Sequence, residues 1–123
     1  MTLRIYEYKN CDTCRKALKF LDAHGVVYTR VPIREQPPTK MELVRMLTLY
    51  AGDVRKLFNT SGSDYQAMQL KDRLPTLTAD AALELLARHG NLVKRPFALG
   101  PQGGVVGFNE ARWRELFLVG AAA

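Results

Sequence analysis

Two cysteines, Cys11 and Cys14, are separated by two residues and lie where a strand pattern gives way to a helix pattern. Apolar residues alternate weakly over 3–8, and from Cys14 onward they recur at helical spacing to about Ala23, with Gly25 as the stop signal. A helix that begins here directs unpaired backbone N–H groups and the positive end of its dipole at the first cysteine, which favours a thiolate. The pattern therefore predicts a strand, then a helix whose first turn carries reactive thiols.

The β-branched segment that follows predicts a second strand at 26–31. Together with the first strand and the helix it would make a β-α-β unit, in which the two strands lie parallel.

The middle of the chain, about 38–92, is predicted to be helical and contains no convincing strand pattern. Thr39 and Glu42 have the spacing of a capping box at the start of one helix. Thr78 is expected to cap another helix that runs to His89. From their apolar spacing, the buried residues of these two helices are predicted to be Met41, Leu43, Val44, Leu47, Leu83, Leu86 and Ala87.

Strand patterns return late, at 96–99 and 104–108, and flank the turn-forming residues 100–103. This arrangement predicts a hairpin with a loop of several residues. Asn109 is expected to cap a last helix that carries Trp113 on its buried face.

The order β-α-β, helices, β-β-α is typical of a thioredoxin-like α/β fold with a mixed sheet of about four strands. A chain of 123 residues with 47% apolar residues is expected to form one domain, 1–123, with the helical insertion at about 38–92. Residues 120–123 are expected to fray. The sequence has no apolar run of membrane-spanning length and no signal-peptide layout, so we expect a cytoplasmic protein.

The formal net charge is +6, from 18 basic and 12 acidic side chains. The basic residues are scattered, and no basic tract is interleaved with aromatic residues as a nucleic-acid surface would require. Ordinary solvated charge with one anion site is favoured over nonspecific nucleic-acid binding. We expect no direct nucleic-acid partner, no membrane contact, and a monomer.

Thiol redox chemistry is the function that the cysteine pair favours. In a reducing compartment, such a pair indicates catalysis, sensing or metal binding rather than a structural crosslink. Zinc prefers four ligands, whereas His24 and His89 are isolated near helix ends. Two inert buried thiols remain the other alternative. Under the redox hypothesis Cys11 attacks the substrate, Cys14 closes a disulfide with it, and no metal or bound cofactor is needed.

Two groups of basic residues are further candidates for the functional site. Arg15 and Lys16 add positive charge to the first helical turn and would favour the Cys11 thiolate, although plain solvation explains Lys16 equally well. Arg95 precedes Pro96, and in thioredoxin-type folds the proline at this point is typically cis and packs beside the active cysteine. A guanidinium there suits an oxyanion or carboxylate. A surface arginine before an edge-strand proline is the alternative.

Three segments stand out together with the helical middle: Lys9-Asn10-Cys11-Asp12-Thr13-Cys14-Arg15-Lys16-Ala17, Lys94-Arg95-Pro96-Phe97 and Val106-Gly107-Phe108-Asn109-Glu110. Over nearly the whole chain, this combination resembles the ArsC/Spx/YffB family, the arsenate-reductase-related branch of the thioredoxin-like fold. The resemblance implies an oxidoreductase scaffold and a family with three subgroups. Arsenate reductases of this type use one cysteine and glutathione, YffB-like proteins look like glutathione-dependent thiol reductases, and Spx-like regulators bind RNA polymerase and use C-x-x-C as a redox switch.

The resemblance also assigns residues. Cys11 matches the catalytic cysteine, and Arg95 matches one of three arginines that surround the arsenic oxyanion in the reductases. The other two arginines, expected at 59–61 and 104–107, are absent, which argues against arsenate as the substrate. Substrate or oxyanion contacts would come from Asn10, Asp12, Thr13, Arg15 and Pro96. Glutathione, glutaredoxin or thioredoxin would be the reductant.

Overall fold

The structure, a computed structural model, describes residues 2–118. Its strands are β1 (Arg4–Glu7), β2 (Thr29–Pro32), β3 (Phe97–Gly100) and β4 (Gly103–Val106). Its α-helices are α1 (Asp12–Ala23), α2 (Lys40–Leu49), α3 (Ser63–Ala67), α4 (Leu70–Arg73), α5 (Ala79–Arg88) and α6 (Glu110–Phe117). The predicted α/β class and element order are confirmed. The predicted fraying of 120–123 lies outside the described residues.

The four strands form one mixed sheet in the order β2-β1-β3-β4. Strands β1 and β2 are parallel, whereas β3 is antiparallel to both β1 and β4. The predicted parallel β-α-β unit and the mixed sheet of four strands are therefore confirmed.

The described chain divides into two compact units. One contains 2–32 and 95–118, and with them the whole sheet, α1 and α6. The other is Ile33–Lys94 and contains α2 to α5. The second unit corresponds to the helical insertion, which extends a few residues beyond the expected 38–92 at each end. The interpretation of 1–123 as a single domain stays a prediction.

The core of the sheet-containing unit forms where α1 and α6 pack on one face of the sheet. Leu3 and Ile5 point to this face from β1 and its approach, because alternate residues of a strand point the same way. The buried cluster also includes residues of α1, β3, β4 and α6: Ala17, Leu18, Phe20, Leu21, Ala98, Val105, Trp113 and Phe117. This packing fixes the first turn of α1 beside the end of β1.

Helix α1 begins immediately after Cys11, which is its N-cap, and ends at Ala23 with His24 as its C-cap. Gly25 follows with a φ of 66°, the left-handed conformation in which glycine pays no Cβ penalty. The second strand was predicted to begin at residue 26, and this is wrong. Val26 donates its backbone N–H to the Leu21 carbonyl and completes the helix stop, so that pairing with β1 begins only at Thr29.

The capping box before α2 is confirmed, with the Thr39 hydroxyl accepting from the Glu42 N–H and the Glu42 carboxylate accepting from the Thr39 N–H. The predicted buried stripe is partly wrong. Leu43 and Met46 are fully buried, whereas Met41 is 84% exposed and Val44 is 47% exposed. A short amphipathic helix offers two plausible apolar faces, and only the packing of its unit selects between them.

Helix α5 begins after the predicted cap Thr78, whose hydroxyl accepts from the Ala81 N–H. It ends at Arg88 with His89 as C-cap, one residue earlier than predicted. Its fully covered residues are Ala82, Leu83 and Leu86, while Ala87 is only half-buried.

The late hairpin is tighter than predicted. Strand β3 runs on to Gly100 and β4 begins at Gly103, so only Pro101 and Gln102 lie between the paired strands. The last helix is capped by Asn109, as predicted, and Trp113 is fully buried. The Trp113 indole N–H donates to the Gly107 carbonyl at 3.0 Å. Among the described residues, no helix combines the length and apolar character needed to cross a bilayer.

Candidate active site

Cys11 occupies the N-cap of α1, where the unpaired N–H groups of the first turn converge. Its backbone is extended, with φ −102° and ψ 114°, which turns the side chain back over the helix end. The Sγ atom accepts a hydrogen bond from the Cys14 backbone N–H at 3.3 Å. The side chain is half-buried and both cysteines are free thiols. A sulfur in this position is partly exposed and accepts a backbone hydrogen bond at the helix N-terminus.

Cys14 is one helical turn further on and is fully buried. The pKa of its thiol is raised from 9.0 to about 12, mainly by burial and next by the hydrogen bond with the Cys11 side chain. A backbone hydrogen bond with Tyr8 acts in the opposite direction. The two thiols therefore differ: Cys14 is a neutral, sheltered S–H group in contact with the half-exposed Cys11.

Glu7, the last residue of β1, lies close to this pair. It is only 6% exposed, although it carries a carboxylate. Its Oε1 accepts from Arg30 Nη2 at 2.8 Å, and Arg30 itself is largely exposed. The negative charge of Glu7 contributes to the raised pKa of Cys14, so the carboxylate and the thiol interact electrostatically.

Tyr8 connects Cys11 to Arg95. The Tyr8 carbonyl accepts from the Cys11 backbone N–H at 3.1 Å, and the Arg95 guanidinium carbon lies 5.0 Å from the centroid of the Tyr8 ring. The contact follows from strand register: Tyr6 pairs with Phe97, and two further steps along antiparallel strands bring Tyr8 opposite Arg95.

The Arg95 side chain carries an unsatisfied donor. Its Nη1 is buried and makes no hydrogen bond with any residue of the described chain. An unpaired buried N–H costs about 1–3 kcal/mol, and more in a charged group. An incoming anion would satisfy this donor, which makes Arg95 an anion-binding candidate. The Arg95–Pro96 peptide is cis, as was expected for a thioredoxin-type fold, and Pro96 is buried.

The other predicted contact residues surround the start of α1. Asn10 donates through its amide to the Tyr8 hydroxyl at 3.2 Å. Asp12 pairs with Arg15, which also donates to the Lys9 carbonyl at 2.7 Å. Thr13 is exposed. The Arg15 side chain thus bonds to residues beside it in the sequence, and its contact with a substrate stays a prediction.

Sequence reasoning did not single out Glu7 or Tyr8. Glu7 had a detectable signal, because it continues the alternating positions of Leu3 and Ile5 and so places a carboxylate where an apolar residue is expected. Tyr8 had no such signal, since its contact with Arg95 depends on the register between β1 and β3. Within residues 2–118, no three His, Cys, Asp or Glu side chains cluster as metal ligands would.

Comparison with known proteins gives consistent matches. The ArsC family model matches residues 6–116. The uncharacterized protein YusI of Bacillus subtilis is 43% identical over 115 residues, covering 94% of this chain and 98% of YusI. A crystal structure of an ArsC-family-related protein from Bacteroides fragilis superposes with a TM-score of 0.87 at 38% identity, covering 94% of this chain and 99% of that one.

Two relatives have names that indicate different functions, one a regulator and the other an enzyme. The regulatory protein MgsR of Bacillus subtilis is 27% identical over 107 residues, which is 87% of this chain and 83% of MgsR. The arsenate reductase of Rhizobium meliloti is 29% identical over 103 residues, which is 84% of this chain and 72% of the reductase. Similarity of sequence therefore does not separate an enzyme from a regulator.

Proposed function

We propose, since the chain belongs to the ArsC family, that it is a thiol-dependent reductase with Cys11 as the nucleophile and Cys14 as the resolving thiol. The observation that carries the proposal is the difference between the two thiols. Cys11 is half-exposed at a helix N-cap and accepts a backbone hydrogen bond, whereas Cys14 is buried and held neutral. A two-cysteine reductase needs one accessible thiol that attacks the substrate and a second thiol, protected from the substrate, that resolves the mixed disulfide.

The reaction proceeds in two exchanges. The Cys11 thiolate attacks one sulfur of a disulfide substrate, forms a mixed disulfide and releases the first thiolate. Cys14 then attacks the Cys11 sulfur, forms the Cys11–Cys14 disulfide, gives up its proton and releases the second thiolate. Two electrons have passed from the protein to the substrate. Two glutathione thiols, or a glutaredoxin or thioredoxin dithiol, return them and become a disulfide.

The substrate class follows from Arg95. Its buried Nη1 lacks a partner, and the guanidinium is held over the ring of Tyr8, whose carbonyl accepts the Cys11 backbone N–H. An anionic disulfide or a thiol adduct with a carboxylate would supply the missing acceptor. Asn10, Asp12, Thr13, Arg15 and Pro96 complete the proposed contact surface. Arsenate remains the weaker substrate, because the sequence lacks two of the arginines that the resemblance requires.

The proposal is tested by turnover. Purified reduced protein is supplied with glutathione, glutaredoxin and either a disulfide or arsenate, and the oxidation of glutathione is followed. We expect steady turnover with the anionic disulfide and none with Cys11→Ser. Equal turnover by Cys11→Ser and the wild type would reject the assignment.

A redox-switched transcriptional regulator is the second candidate. The relative MgsR carries the name of a regulator, and other relatives carry the name Spx. The pair Cys11 and Cys14 would then act as a sensor, and RNA polymerase would be the partner. Capture of polymerase by the oxidised but not by the reduced protein, together with absent turnover, would support this function over the enzyme.

A further inference from the structure

Glu7 is the one charged side chain that is buried among the described residues 2–118. Strand alternation points it to the same face of the sheet as Leu3 and Ile5, which is the face covered by α1. The buried residue nearest the N-terminus of α1 is Cys14. The C-terminal end of β1 and the first turn of α1 thus bring a carboxylate and a thiol together in a sheltered site.

Arg30 forms an ion pair with this carboxylate. Its Nη2 donates to Glu7 Oε1 at 2.8 Å from the neighbouring strand β2. A carboxylate without a counter-charge would be costly in a buried position. The bond to Arg30 engages Oε1.

The second exchange of the proposed reaction requires a group that accepts the proton of Cys14. In the reduced protein, the Cys14 side chain is hydrogen-bonded with the Cys11 side chain. Once Cys11 has formed a mixed disulfide, its sulfur is no longer a thiolate and ceases to be a good acceptor. Burial, the largest cause of the raised pKa of Cys14, does not depend on the Cys11 thiol, so in the mixed disulfide the Cys14 thiol is still mostly protonated at pH 7.

We propose that Glu7 takes the proton from Cys14 while Cys14 attacks the mixed disulfide on Cys11. This inference rests on the proposed reductase function and adds a proton acceptor to it. In the step, the Cys14 S–H bond breaks and Glu7 becomes a carboxylic acid. The Cys11–Cys14 bond forms, the bond to the substrate sulfur breaks, and the thiolate leaves. The proton then passes from Glu7 to solvent.

Glu7 also has an opposing electrostatic effect, since its negative charge disfavours the Cys14 thiolate. That effect is the smallest of the causes that raise the pKa of Cys14, and burial is the largest. General base catalysis contributes about 10²–10⁴-fold to a rate. Removing the carboxylate should therefore slow the attack by Cys14, because the lost proton transfer outweighs the relieved repulsion.

The test separates the two exchanges in one turnover with dithiobis(nitrobenzoate), an anionic aromatic disulfide. Attack by Cys11 releases the first coloured thiolate, and attack by Cys14 releases the second. Stopped-flow absorbance then gives two rates for the wild type, for Glu7→Gln and for Glu115→Gln. Glu115 is an exposed carboxylate on α6 that pairs with Arg112, which makes it a matched control.

For Glu7→Gln we expect the first release to be unchanged and the second to slow by about 100-fold or more. Its second release should rise in proportion to hydroxide from about pH 6 to about pH 9, whereas the wild-type rate should approach a plateau. Glu115→Gln should match the wild type. An unchanged or faster second release in Glu7→Gln overturns the inference while leaving Cys11 as nucleophile.

A different result would reject the proposed reductase function itself. If the wild type gives no first release that depends on Cys11, the reductase itself is rejected. Should Glu7→Gln fail to fold, the wild-type pH profile alone decides, because a second release proportional to hydroxide over the whole range excludes a carboxylate acceptor.

Discussion

The guanidinium of Arg95 lies over the ring of Tyr8, with its central carbon 5.0 Å from the ring centroid. The same tyrosine accepts the backbone N–H of Cys11 through its carbonyl and the amide of Asn10 through its hydroxyl. Tyr8 therefore orients a cation and a nucleophile that are 84 residues apart in the sequence (95 − 11). A cation held on an aromatic face keeps its outer N–H groups for a ligand.

Replacing Arg95 should weaken the reaction according to substrate charge. In Arg95→Ala, we expect kcat/KM for glutathione disulfide to fall by roughly 10- to 100-fold, because a hydrogen bond to a charged group contributes about 1.5–3 kcal/mol. The loss for uncharged hydroxyethyl disulfide should be much smaller. Arg112→Ala, which removes an exposed arginine of α6, is the control and should affect neither substrate. Equal losses for both disulfides would contradict anion binding by Arg95.

Burial of Cys14 predicts a pH dependence of stability in the reduced protein. The pKa of this thiol is raised from 9.0 to about 12 in the folded state. Above pH 9 the unfolded chain loses the thiol proton and the folded protein keeps it, so the stability due to this group falls between pH 9 and pH 12.

Urea unfolding under reducing conditions measures this effect. Between about pH 8 and about pH 10, the free energy of unfolding of the wild type should fall by about 1.4 kcal/mol more than that of Cys14→Ala. The comparison with Cys14→Ala removes the contributions of other groups, including Tyr28, whose pKa is also raised to about 12. Parallel pH dependences of the two proteins would show that Cys14 titrates normally.

Gly90 should be far less tolerant of substitution than Gly25. A Cβ at Gly90 would lie 1.8 Å from the Ile33 carbonyl oxygen, so Gly90→Ala must displace backbone. We expect a loss of at least about 3 kcal/mol, as for severe overpacking. Gly25 has a φ of 66° with open space around it, so Gly25→Ala should cost only about 1–2 kcal/mol. Similar urea midpoints for the two variants would contradict this difference.

The parts of the fold with local signals could be predicted from sequence. The helix start at Cys11, the capping residues Thr39, Thr78 and Asn109, and the order of strands and helices along the chain were all predicted, because each depends on a few adjacent residues. The exposed face of α2 was misread, since the apolar Met41 looks buried until the packing of the helix is known.

The candidate site was predictable only in part for the same reason. The pattern around Cys11 and Cys14 is local, and Arg95 was flagged by its proline. The aromatic contact of Arg95 with Tyr8 requires the register of two strands that are distant in sequence. The buried pair of Glu7 and Arg30 likewise requires the parallel pairing of β1 with β2. Long-range pairing is the information that periodicity does not contain.

The most direct test of the central claim is to identify the cysteine that carries the substrate. Cys14→Ser and Cys11→Ser are each incubated with glutathione disulfide, and the intact protein and its peptides are weighed by mass spectrometry. We predict that Cys14→Ser accumulates one glutathione on Cys11, because the resolving thiol is missing, and that Cys11→Ser remains unmodified. A glutathione adduct that forms as fast on Cys14 of Cys11→Ser would contradict the account.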